Sequence, residues 1–367
     1  MKKILFFNRS AVHYRMAIYS LMEQKLGVDF YFGDGRPGDI QKINYDYLKN
    51  FKYELRNIVL KEPVYWQKGA ISLAFKPYDV YITPGDIWCI TTWITSLLCR
   101  MRGKRVYFWT HGWYGKERLF KKIIKKIFFK IPNGCFLYGE YAKLLMLKNG
   151  YRKEKLSVIY NSLNYDVQCK LRNQLKRTFV FHDYFGNSNQ TLLFIGRLTK
   201  IKRLELLILA VSELKKQGRE FNLILIGDGL MKTELELLTQ REKIENNVWF
   251  YGECYDEKEL SNIIYNSDLC VSPGNVGLTA IHVMSFGIPV ITHNNFPYQM
   301  PEFEAILPGK TGDFFEFGNL TSLVNTLKGW FDRGYDKYEI QNNCYRIIDE
   351  KYNPYRQIEI INKVVNS

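Results

Sequence analysis

The sequence predicts an α/β protein with two doubly wound domains in series. Its 367 residues suit two domains, since one domain typically has about 100 to 200 residues. Short apolar runs alternate with segments of helical period twice along the chain, which is typical of parallel sheets covered by helices. Between the two series, residues 164–190 lose this pattern and end in a Gly/Asn/Ser cluster, which indicates the connection.

The first series predicts a domain over residues 1–165. Its predicted strands are 3–7, 29–32, 79–83, 105–109 and 134–138, and its predicted helices are 13–26, 116–130 and 140–148. We expect a helix at about 350–367 to pack back on this domain.

The second series predicts a domain over residues 186–349. Its predicted strands are 191–195, 222–226, 248–251, 269–272 and 289–292, and its predicted helices are 203–217, 231–242, 256–266 and 278–286. Because doubly wound domains bind ligands beyond the carboxyl ends of their strands, we expect a ligand in a cleft between the two domains.

Composition and charge narrow the classes of function. With 46% hydrophobic and 24% charged residues the chain is globular, which excludes a disordered or collagen-like protein. The net charge is +15, but residues 1–200 have 35 Lys and Arg against 14 Asp and Glu, while the remainder has 17 against 23. A polyanion or an anionic membrane surface is therefore the expected neighbour of the first half.

Cysteine usage and hydropathy predict a cytosolic protein. The seven cysteines lie far apart without a CxxC, which indicates reduced thiols and argues against a zinc site, so no metal is expected. The apolar core at the N-terminus has only four residues, too few for a signal peptide, and the longest apolar run, 87–99, has 13. We expect no helix that crosses a bilayer.

A cationic motif follows the strand at 191–195. Gly196 permits a sharp turn, and Arg197 and Lys202 come next at the carboxyl end of the strand. The planar guanidinium and the compact ammonium group suit the oxygens of a diphosphate. A solvated basic loop remains the alternative, since Lys200 and Arg203 crowd the same segment.

Two glycine-rich turns complete the candidate site. Gly227, Asp228 and Gly229 follow a buried strand, where exposed backbone N–H groups can bind an anion, although a plain βα turn explains the motif equally well. The loop 273–277 then leads into a short helix, and it contributes a set of candidate binding residues, namely Gly274, Asn275, Gly277, Leu278 and Thr279. His282 lies on that helix, where a hydrogen-bonded core histidine is the alternative to a ligand contact.

Together with residues 301–315, these motifs resemble the C-terminal domain of glycosyltransferase family 4, closely over about 191–330 and loosely in the first half. The resemblance implies the GT-B fold, two Rossmann-like domains facing a central cleft, and a nucleotide-diphospho-sugar donor with no other cofactor. It implies that Arg197 and Lys202 bind the donor diphosphate, that 227–229 lies near the nucleotide and that 277–279 binds the sugar-diphosphate. Glu304 falls where the family has a glutamate ahead of its Thr-Gly, here Thr311-Gly312, usually in a structural role.

The third motif departs from the family pattern. The family has two glutamates there, and Gly274 and His282 occupy the corresponding positions, so the usual contacts to donor sugar and ribose are not transferred. An imidazole at 282 can still hydrogen-bond a ribose hydroxyl or a phosphate. Altered donor contacts, a different stereochemical outcome and an inactive relative all stay open, and the retained Arg197 and Lys202 favour the first.

The first half offers acceptor-side candidates. His111 follows the strand at 105–109, where family members commonly have a histidine, so the resemblance implies an acceptor or transition-state contact, with a turn histidine as the alternative. The first βα loop lacks the double glycine of many relatives and has instead Arg9, His13, Tyr14 and Arg15, some of which we expect to line the acceptor or phosphate side.

Residues 116–130 predict a basic amphipathic helix. Its apolar positions recur at helical spacing, and six lysines and one arginine accompany them. The ordinary expectation is that the apolar stripe packs on the sheet while the lysines face water. The excess of charge favours reversible docking to an anionic membrane over binding to RNA, since no RNA-recognition motif is present.

The sequence therefore predicts a metal-independent, hexosyltransferase-type glycosyltransferase, retaining by family precedent. It would transfer sugar from a nucleotide-sugar to a glycan hydroxyl, on a lipid-linked acceptor, at the inner face of a bacterial plasma membrane during surface-polysaccharide assembly. No nucleic-acid partner is expected. The alternatives are a non-catalytic nucleotide-sugar or glycan-binding subunit and, less favoured, a nucleotide-sugar epimerase of the same fold.

Overall fold

The computed structural model of the protein describes residues 2–35, 41–334 and 336–367. The chain divides into two compact units, one formed by residues 1–164 with 352–367 and the other by residues 165–351. Each unit contains one sheet, built mainly from parallel strands and covered by helices. The predicted α/β class with two Rossmann-like sheets is confirmed.

The first unit has an eight-stranded sheet. Its strands are β1 (Ile4–Asn8), β2 (Asp29–Gly33), β3 (Phe51–Lys61), β4 (Val64–Lys68), β5 (Val80–Pro84), β6 (Arg105–Thr110), β7 (Gly134–Leu137) and β8 (Leu156–Val158). Their order in the sheet is β4-β3-β2-β1-β5-β6-β7-β8, and only the β3–β4 pair is antiparallel. The strand order reverses between β1 and β5, so a ligand crevice is expected beyond Asn8 and Pro84.

Five α-helices of the first unit lie before residue 150 within the described ranges. They are α1 (Met16–Leu26), α2 (Ala70–Leu73), α3 (Ile90–Met101), α4 (Leu119–Phe128) and α5 (Glu140–Lys148). Buried side chains of α1 join one core on one face of the sheet, while side chains of α2, α4 and α5 join a second core. Since side chains alternate along a strand, Phe6 of β1 lies in the first core and Leu5 in the second.

Several elements of the first unit were not predicted, namely the β3–β4 hairpin, α2, α3 and β8. The β3–β4 hairpin has mostly exposed side chains on β3, so it lacks the continuous apolar run of a buried parallel strand. Helix α3 overlaps the apolar run noted at 87–99, which the sequence analysis assigned to no element. Within the three described ranges, no helix is both long and apolar enough to span a bilayer.

The second unit begins inside the stretch predicted as a connection. Residues 165–185 form α6 (Tyr165–Arg172) and α7 (Val180–Phe185). The strands are β9 (Thr191–Ile195), β10 (Asn222–Ile226), β11 (Val248–Gly252), β12 (Leu269–Ser272), β13 (Val290–His293) and β14 (Gly312–Phe315). The remaining helices are α8 (Leu204–Lys216), α9 (Lys232–Arg241), α10 (Glu257–Asn266), α11 (Leu278–Met284), α12 (Leu320–Asp332) and α13 (Lys337–Glu350).

The sheet of the second unit is parallel throughout. Its order is β11-β10-β9-β12-β13-β14, so the order reverses between β9 and β12. Ligands of doubly wound sheets bind beyond the carboxyl ends of the strands at such a reversal. The cationic motif follows β9 and the loop 273–277 follows β12, so the fold brings these two motifs to one edge of the sheet.

The C-terminal helix α14 (Pro354–Asn366) belongs to the first unit. Asn353 caps it by accepting a hydrogen bond from the Arg356 N–H at 2.9 Å, and Pro354 suits the first turn, where no backbone N–H is needed. Its buried face contributes Ile358, Ile361 and Val365 to the core that contains α1.

Candidate functional site

The loops after β9 and β10 touch through their backbones. The Gly196 N–H donates to the Ile226 carbonyl at 2.9 Å, and a Cβ placed on Gly227 would lie 2.1 Å from the Gly196 carbonyl oxygen. At Gly229 a Cβ would lie 2.4 Å from the Leu198 carbonyl oxygen. The glycines of the 227–229 motif therefore have a packing role, because only hydrogen fits between the two loops.

Arg197 and Lys202 supply the positive charge of this edge. The Arg197 side chain is exposed and has no hydrogen-bond partner in the described part of the chain. Lys202 lies in a short turn of 3₁₀ helix, and its Nζ donates to the Asn275 carbonyl oxygen at 2.7 Å. Burial, with a smaller contribution from the Arg197 charge, lowers the pKa of Lys202 to about 8. An anion bound here would stabilise both charges.

Glu302 is a neighbour of Lys202 that the sequence analysis missed. Its side chain is buried, and its negative charge partly offsets the lowering of the Lys202 pKa. The sequence analysis chose Glu304 instead, two residues later, which the structure leaves half-buried. The two glutamates lie in one 3₁₀ helix, Pro301–Ala305, so the sequence PEFEA gave no indication of which one is buried.

Gly274 has no space for a side chain. Its N–H donates to the Lys202 carbonyl at 2.9 Å, and a Cβ would lie 2.0 Å from the Ile201 carbonyl oxygen and 2.7 Å from the Lys202 Cα. The backbone of the cationic loop thus fills the volume that a glutamate side chain would need. This close contact is a physical reason for the glycine where the family has its first glutamate.

A buried glutamine holds the loop after β12. The Val276 N–H donates to Gln299 Oε1 at 2.8 Å, and Gln299 Nε2 donates to the Thr292 hydroxyl and the His293 carbonyl, each at 2.9 Å. Sequence reasoning missed Gln299, since a single glutamine in a polar segment gives no sign of burial. Its three hydrogen bonds fix the loop that presents the Asn275 carbonyl to Lys202.

The start of α11 is tied to the end of β9. Gly277 precedes the helix, Leu278 is its half-buried first residue, and the Thr279 hydroxyl donates to the Ile195 carbonyl at 3.0 Å. Asp228, from the second motif, is exposed and lies 3.8 Å from the Lys232 ammonium group. The structure thus brings the three predicted motifs to one edge of the sheet.

His282 forms a hydrogen bond with a protein carboxylate. Its Nε2 lies 3.1 Å from Glu257 Oε1, and Gln168 Nε2 donates to the same oxygen at 2.9 Å. Burial alone would raise the pKa of Glu257, but hydrogen bonds from His282 and Gln168 hold this pKa below its usual value. The imidazole thereby links α11 to the first turn of α10.

In the first unit, His111 lies directly after β6 in an aromatic setting. Its ring centroid is 4.6 Å from that of Tyr138 and 5.8 Å from that of Tyr114. Burial, followed by the charges of Arg15 and Lys125, lowers the pKa of His111 to about 3. Its buried Nδ1 has no hydrogen-bond partner among residues 2–35, 41–334 and 336–367. At neutral pH the imidazole is therefore uncharged and able to bond a hydroxyl.

Arg15 is the residue of the first βα loop whose charge acts on His111. Its side chain is buried, donates to the Tyr138 hydroxyl, and lies 5.8 Å from the centroid of the Trp109 ring. Arg9 lies 5.6 Å from the Tyr65 ring, and His13 is exposed with its Nδ1 3.2 Å from the Gln41 carbonyl oxygen. Of these loop residues, Arg15 is the one whose charge acts on the His111 pKa.

No three His, Cys, Asp or Glu side chains of the described ranges lie close enough together to hold a metal ion.

Comparisons with known proteins match this chain to a family model, to curated relatives and to solved structures. Residues 182–346 match the family model described as Glycosyl transferases group 1. A curated relative, an uncharacterized 41.2 kDa protein in the cps region of Klebsiella pneumoniae, is 28% identical over 254 residues. That alignment covers 65% of this chain and 66% of the relative, so it spans slightly less than two thirds of the relative's length.

Solved structures match the chain over nearly its full length. Anabaena Alr3699/HepE in complex with UDP matches with a TM-score of 0.74 at 15% identity, covering 99% of both chains. The apo form of the lipopolysaccharide outer core galactosyltransferase WaaB matches with a TM-score of 0.72 at 17% identity, again over 99% of both chains. The chain has the GT-B fold. Together with the family match, these comparisons support a glycosyltransferase role.

Proposed function

We propose that this protein is a metal-independent glycosyltransferase of family 4 that transfers a hexose from a nucleotide-diphospho-sugar to a hydroxyl of a glycan. The observation on which the proposal depends is the pair Arg197 and Lys202 beside backbone-packed glycine loops at the strand reversal of the second unit. The Anabaena neighbour has been solved with UDP and with UDP-glucose, which supports a nucleotide-sugar donor here.

The pair suits the chemistry of the leaving group. As the bond between the anomeric carbon and the diphosphate oxygen breaks, negative charge builds up on the diphosphate. Arg197 is exposed and can offer its planar fork, while Lys202 is held in place by the Asn275 carbonyl. Charges fixed before the reaction stabilise the transition state without reorganisation, and each charge-assisted hydrogen bond contributes on the order of 1.5–3 kcal/mol.

The acceptor step uses the other product of bond cleavage, the electron-poor anomeric carbon. The acceptor hydroxyl oxygen bonds to this carbon and releases its proton, for which the departing diphosphate is an available acceptor. By the precedent of the family that the motifs resemble, the new bond forms with retention of configuration. The neutral imidazole of His111 is suited to hydrogen-bond a sugar hydroxyl rather than to bind a phosphate by charge.

We further propose a lipid-linked glycan as acceptor and the inner face of a bacterial plasma membrane as the site of action. Residues 1–200 contain 35 basic and 14 acidic residues, an excess of 21 positive charges. This excess supports an anionic surface as the neighbour of this half of the chain. The Klebsiella relative from a cps region supports a role in surface-polysaccharide assembly.

One observation favours a second candidate, a subunit that binds a nucleotide-sugar without turning it over. Gly274 has no side chain to contact the donor sugar, and the imidazole of His282 is hydrogen-bonded to Glu257. Such a subunit would keep donor affinity but release no nucleoside diphosphate.

Donor binding and turnover separate the two candidates. A ligand that binds the native state selectively raises the melting temperature, so UDP-, GDP- and dTDP-sugars are compared first by thermal shift. The stabilising donor is then incubated with a membrane fraction containing lipid-linked glycans, and release of nucleoside diphosphate is measured. Release that depends on the acceptor supports the transferase, whereas binding without release supports the second candidate. No stabilisation by any of the three donor classes would contradict both.

A further inference from the structure

Helix α4 leaves most of its apolar stripe exposed, contrary to the expectation from its sequence. The expected arrangement buried the apolar stripe and left the lysines in water, and for most of the stripe this is wrong. Leu119 and Phe120 are each 74% exposed, and Ile123 and Ile127 are 51% and 57% exposed. Only Phe128, at the end of the helix, is fully buried.

A buried ion pair explains the orientation of α4. Lys125 points inward, where its Nζ lies 2.6 Å from Glu117 Oε1 and donates to the Gly112 carbonyl at 2.7 Å. The same carboxylate accepts the N–H groups of Tyr114 and Gly115. Lys125 and Phe128 are three residues apart, so they lie on the same side of α4, and both face the core. The residues on the opposite side of the helix therefore face outward.

Helix α3 has the same inverted character. Its buried face consists of small residues, Thr91, Thr92, Thr95, Ser96 and Cys99. Two of its large apolar residues, Leu97 and Met101, lie on the outer side and are 46% and 82% exposed, whereas Trp93 and Leu98 pack against the core. Small buried residues allow the helix to lie close to the sheet, while Leu97 and Met101 stay exposed.

The two helices are neighbours. The ring of Trp93 on α3 lies 4.6 Å from that of Phe128 on α4, and the Lys121 ammonium lies 5.8 Å from the Trp88 ring centroid, just before α3. Both pack on the same core of the first unit, so their outer sides turn away from the same face of the sheet. We define the α3–α4 surface by its exposed apolar residues, which are Leu97, Met101, Leu119, Phe120, Ile123 and Ile127.

Exposed basic side chains come from the same two helices. Exposed cations come from both helices and their ends, namely Arg100, Arg102, Arg118, Lys122, Lys126 and Lys130. Residues 97–130 contain a single acidic side chain, Glu117, which is already paired with Lys125. A surface that combines exposed apolar residues with cations of one sign is complementary to a negatively charged surface that also has an apolar interior.

We infer that the α3–α4 surface docks this protein on an anionic lipid bilayer, with its apolar residues in the headgroup boundary and its cations on lipid phosphates. The excess of exposed cations on this surface disfavours a second copy of this chain as the occupant, because two such surfaces would repel one another. The inference rests on the proposed function, because docking would serve to bring the enzyme to a lipid-linked acceptor.

The inference is tested by sedimentation of the full chain with vesicles. The chain should bind phosphatidylglycerol-containing vesicles and lose most binding to pure phosphatidylcholine or at high salt. A lysine near an anionic surface strengthens binding roughly fivefold. Lys122→Glu with Lys126→Glu should therefore weaken binding by about 25-fold or more. The matched control is Lys170→Glu with Arg241→Glu on the second unit, which makes the same change in charge and should bind as wild type.

A second pair of variants tests the apolar part. Phe120→Ser with Ile123→Ser should weaken vesicle binding by about tenfold or more. The matched control, Leu144→Ser with Leu237→Ser, removes exposed apolar side chains elsewhere and should leave binding unchanged. Both α4 variants should keep the thermal shift given by the stabilising nucleotide-sugar, which shows that the fold and the donor site are intact.

Three results would overturn the inference. One is wild-type binding that is indifferent to anionic lipid and salt. Another is equal binding by the α4 variants and their controls. The third is a wild-type dimer in sedimentation velocity that Phe120→Ser with Ile123→Ser dissociates without any effect on vesicle binding, which would assign the surface to a second copy. Since donor binding is measured separately, loss of vesicle binding alone leaves the proposed transferase standing.

Discussion

The two units present opposite kinds of polar site at the carboxyl edges of similar sheets. In the second unit, glycine loops touch through their backbones, and Arg197 is exposed to solvent while Lys202 is fixed by a backbone carbonyl. In the first unit, Arg15 is buried among Tyr14, Trp109 and Tyr138, and it helps keep His111 uncharged.

The difference indicates a division of tasks within one topology. Backbone packing leaves side-chain charge available to an anion, which suits the leaving diphosphate. In the first unit, the Arg15 guanidinium interacts with aromatic ring faces and with a phenol hydroxyl, so it is less available to an anion. The neutral imidazole of His111 is suited to hydrogen-bond a hydroxyl. The sheets alone do not make this distinction, because both place a strand reversal beside the site.

The largest expected effect is at the exposed charge of the second unit. Arg197→Ala should lower kcat/KM by on the order of 10² or more, because the charge acts where the transition state becomes more negative. The matched control is Arg241→Ala, an exposed arginine on α9, which should stay within twofold of wild type. Unchanged turnover in a folded Arg197→Ala variant would contradict the proposal that this edge of the second sheet stabilises the leaving diphosphate.

Gly274→Ala tests whether backbone contact shapes the second unit. The new methyl group would lie 2.0 Å from the Ile201 carbonyl oxygen, so the loop must shift, and we expect a loss of about 2 kcal/mol of stability. The melting temperature should fall by roughly 4–8 °C. Gly277→Ala is the control, since the nearest atom is a Met300 side-chain carbon at 3.7 Å, and a similar fall there would refute the explanation.

His111→Ala tests the neutral site of the first unit. We expect kcat/KM for the acceptor to fall about tenfold, with donor affinity unchanged, because one hydrogen bond to a hydroxyl is lost. With a pKa of about 3, the imidazole is neutral at any higher pH. In the wild type, the pH profile of kcat/KM for the acceptor should therefore show no ionisation of His111 between pH 5 and 8. His182→Ala, an exposed histidine on α7, is the control. A weaker donor affinity in His111→Ala would contradict the division of tasks.

The smallest expected effect is a pH dependence of donor affinity. The pKa of Lys202 is lowered, to about 8, so its charge is present below pH 7 and is lost as the pH rises through 8. A bound diphosphate favours the charged form, so the donor Kd should be constant below pH 7 and rise several-fold by pH 8.5. Lys202→Arg should flatten this profile, because arginine stays charged. A flat wild-type profile would mean that Lys202 does not contact the donor.

Much of the second unit follows from its sequence. Strands 191–195, 222–226 and 269–272 are correct to the residue, because buried parallel strands are continuous apolar runs with turn residues at each end. The cationic and glycine motifs therefore also lie at the predicted edge. Glu302 and Gln299 were missed, because burial of a polar residue depends on distant loops that a local pattern does not describe.

The sequence by itself determined two α/β series, the charge contrast between the two halves of the chain, and the order of motifs after β9, β10 and β12. Tertiary structure alone decided which side of an amphipathic helix meets the core. Helical period identifies the two faces of a helix but does not determine which of them packs on the core. In α4 the Lys125–Glu117 pair and Phe128 turned the remaining apolar stripe outward, and in α3 small hydroxyl and thiol residues took the buried side.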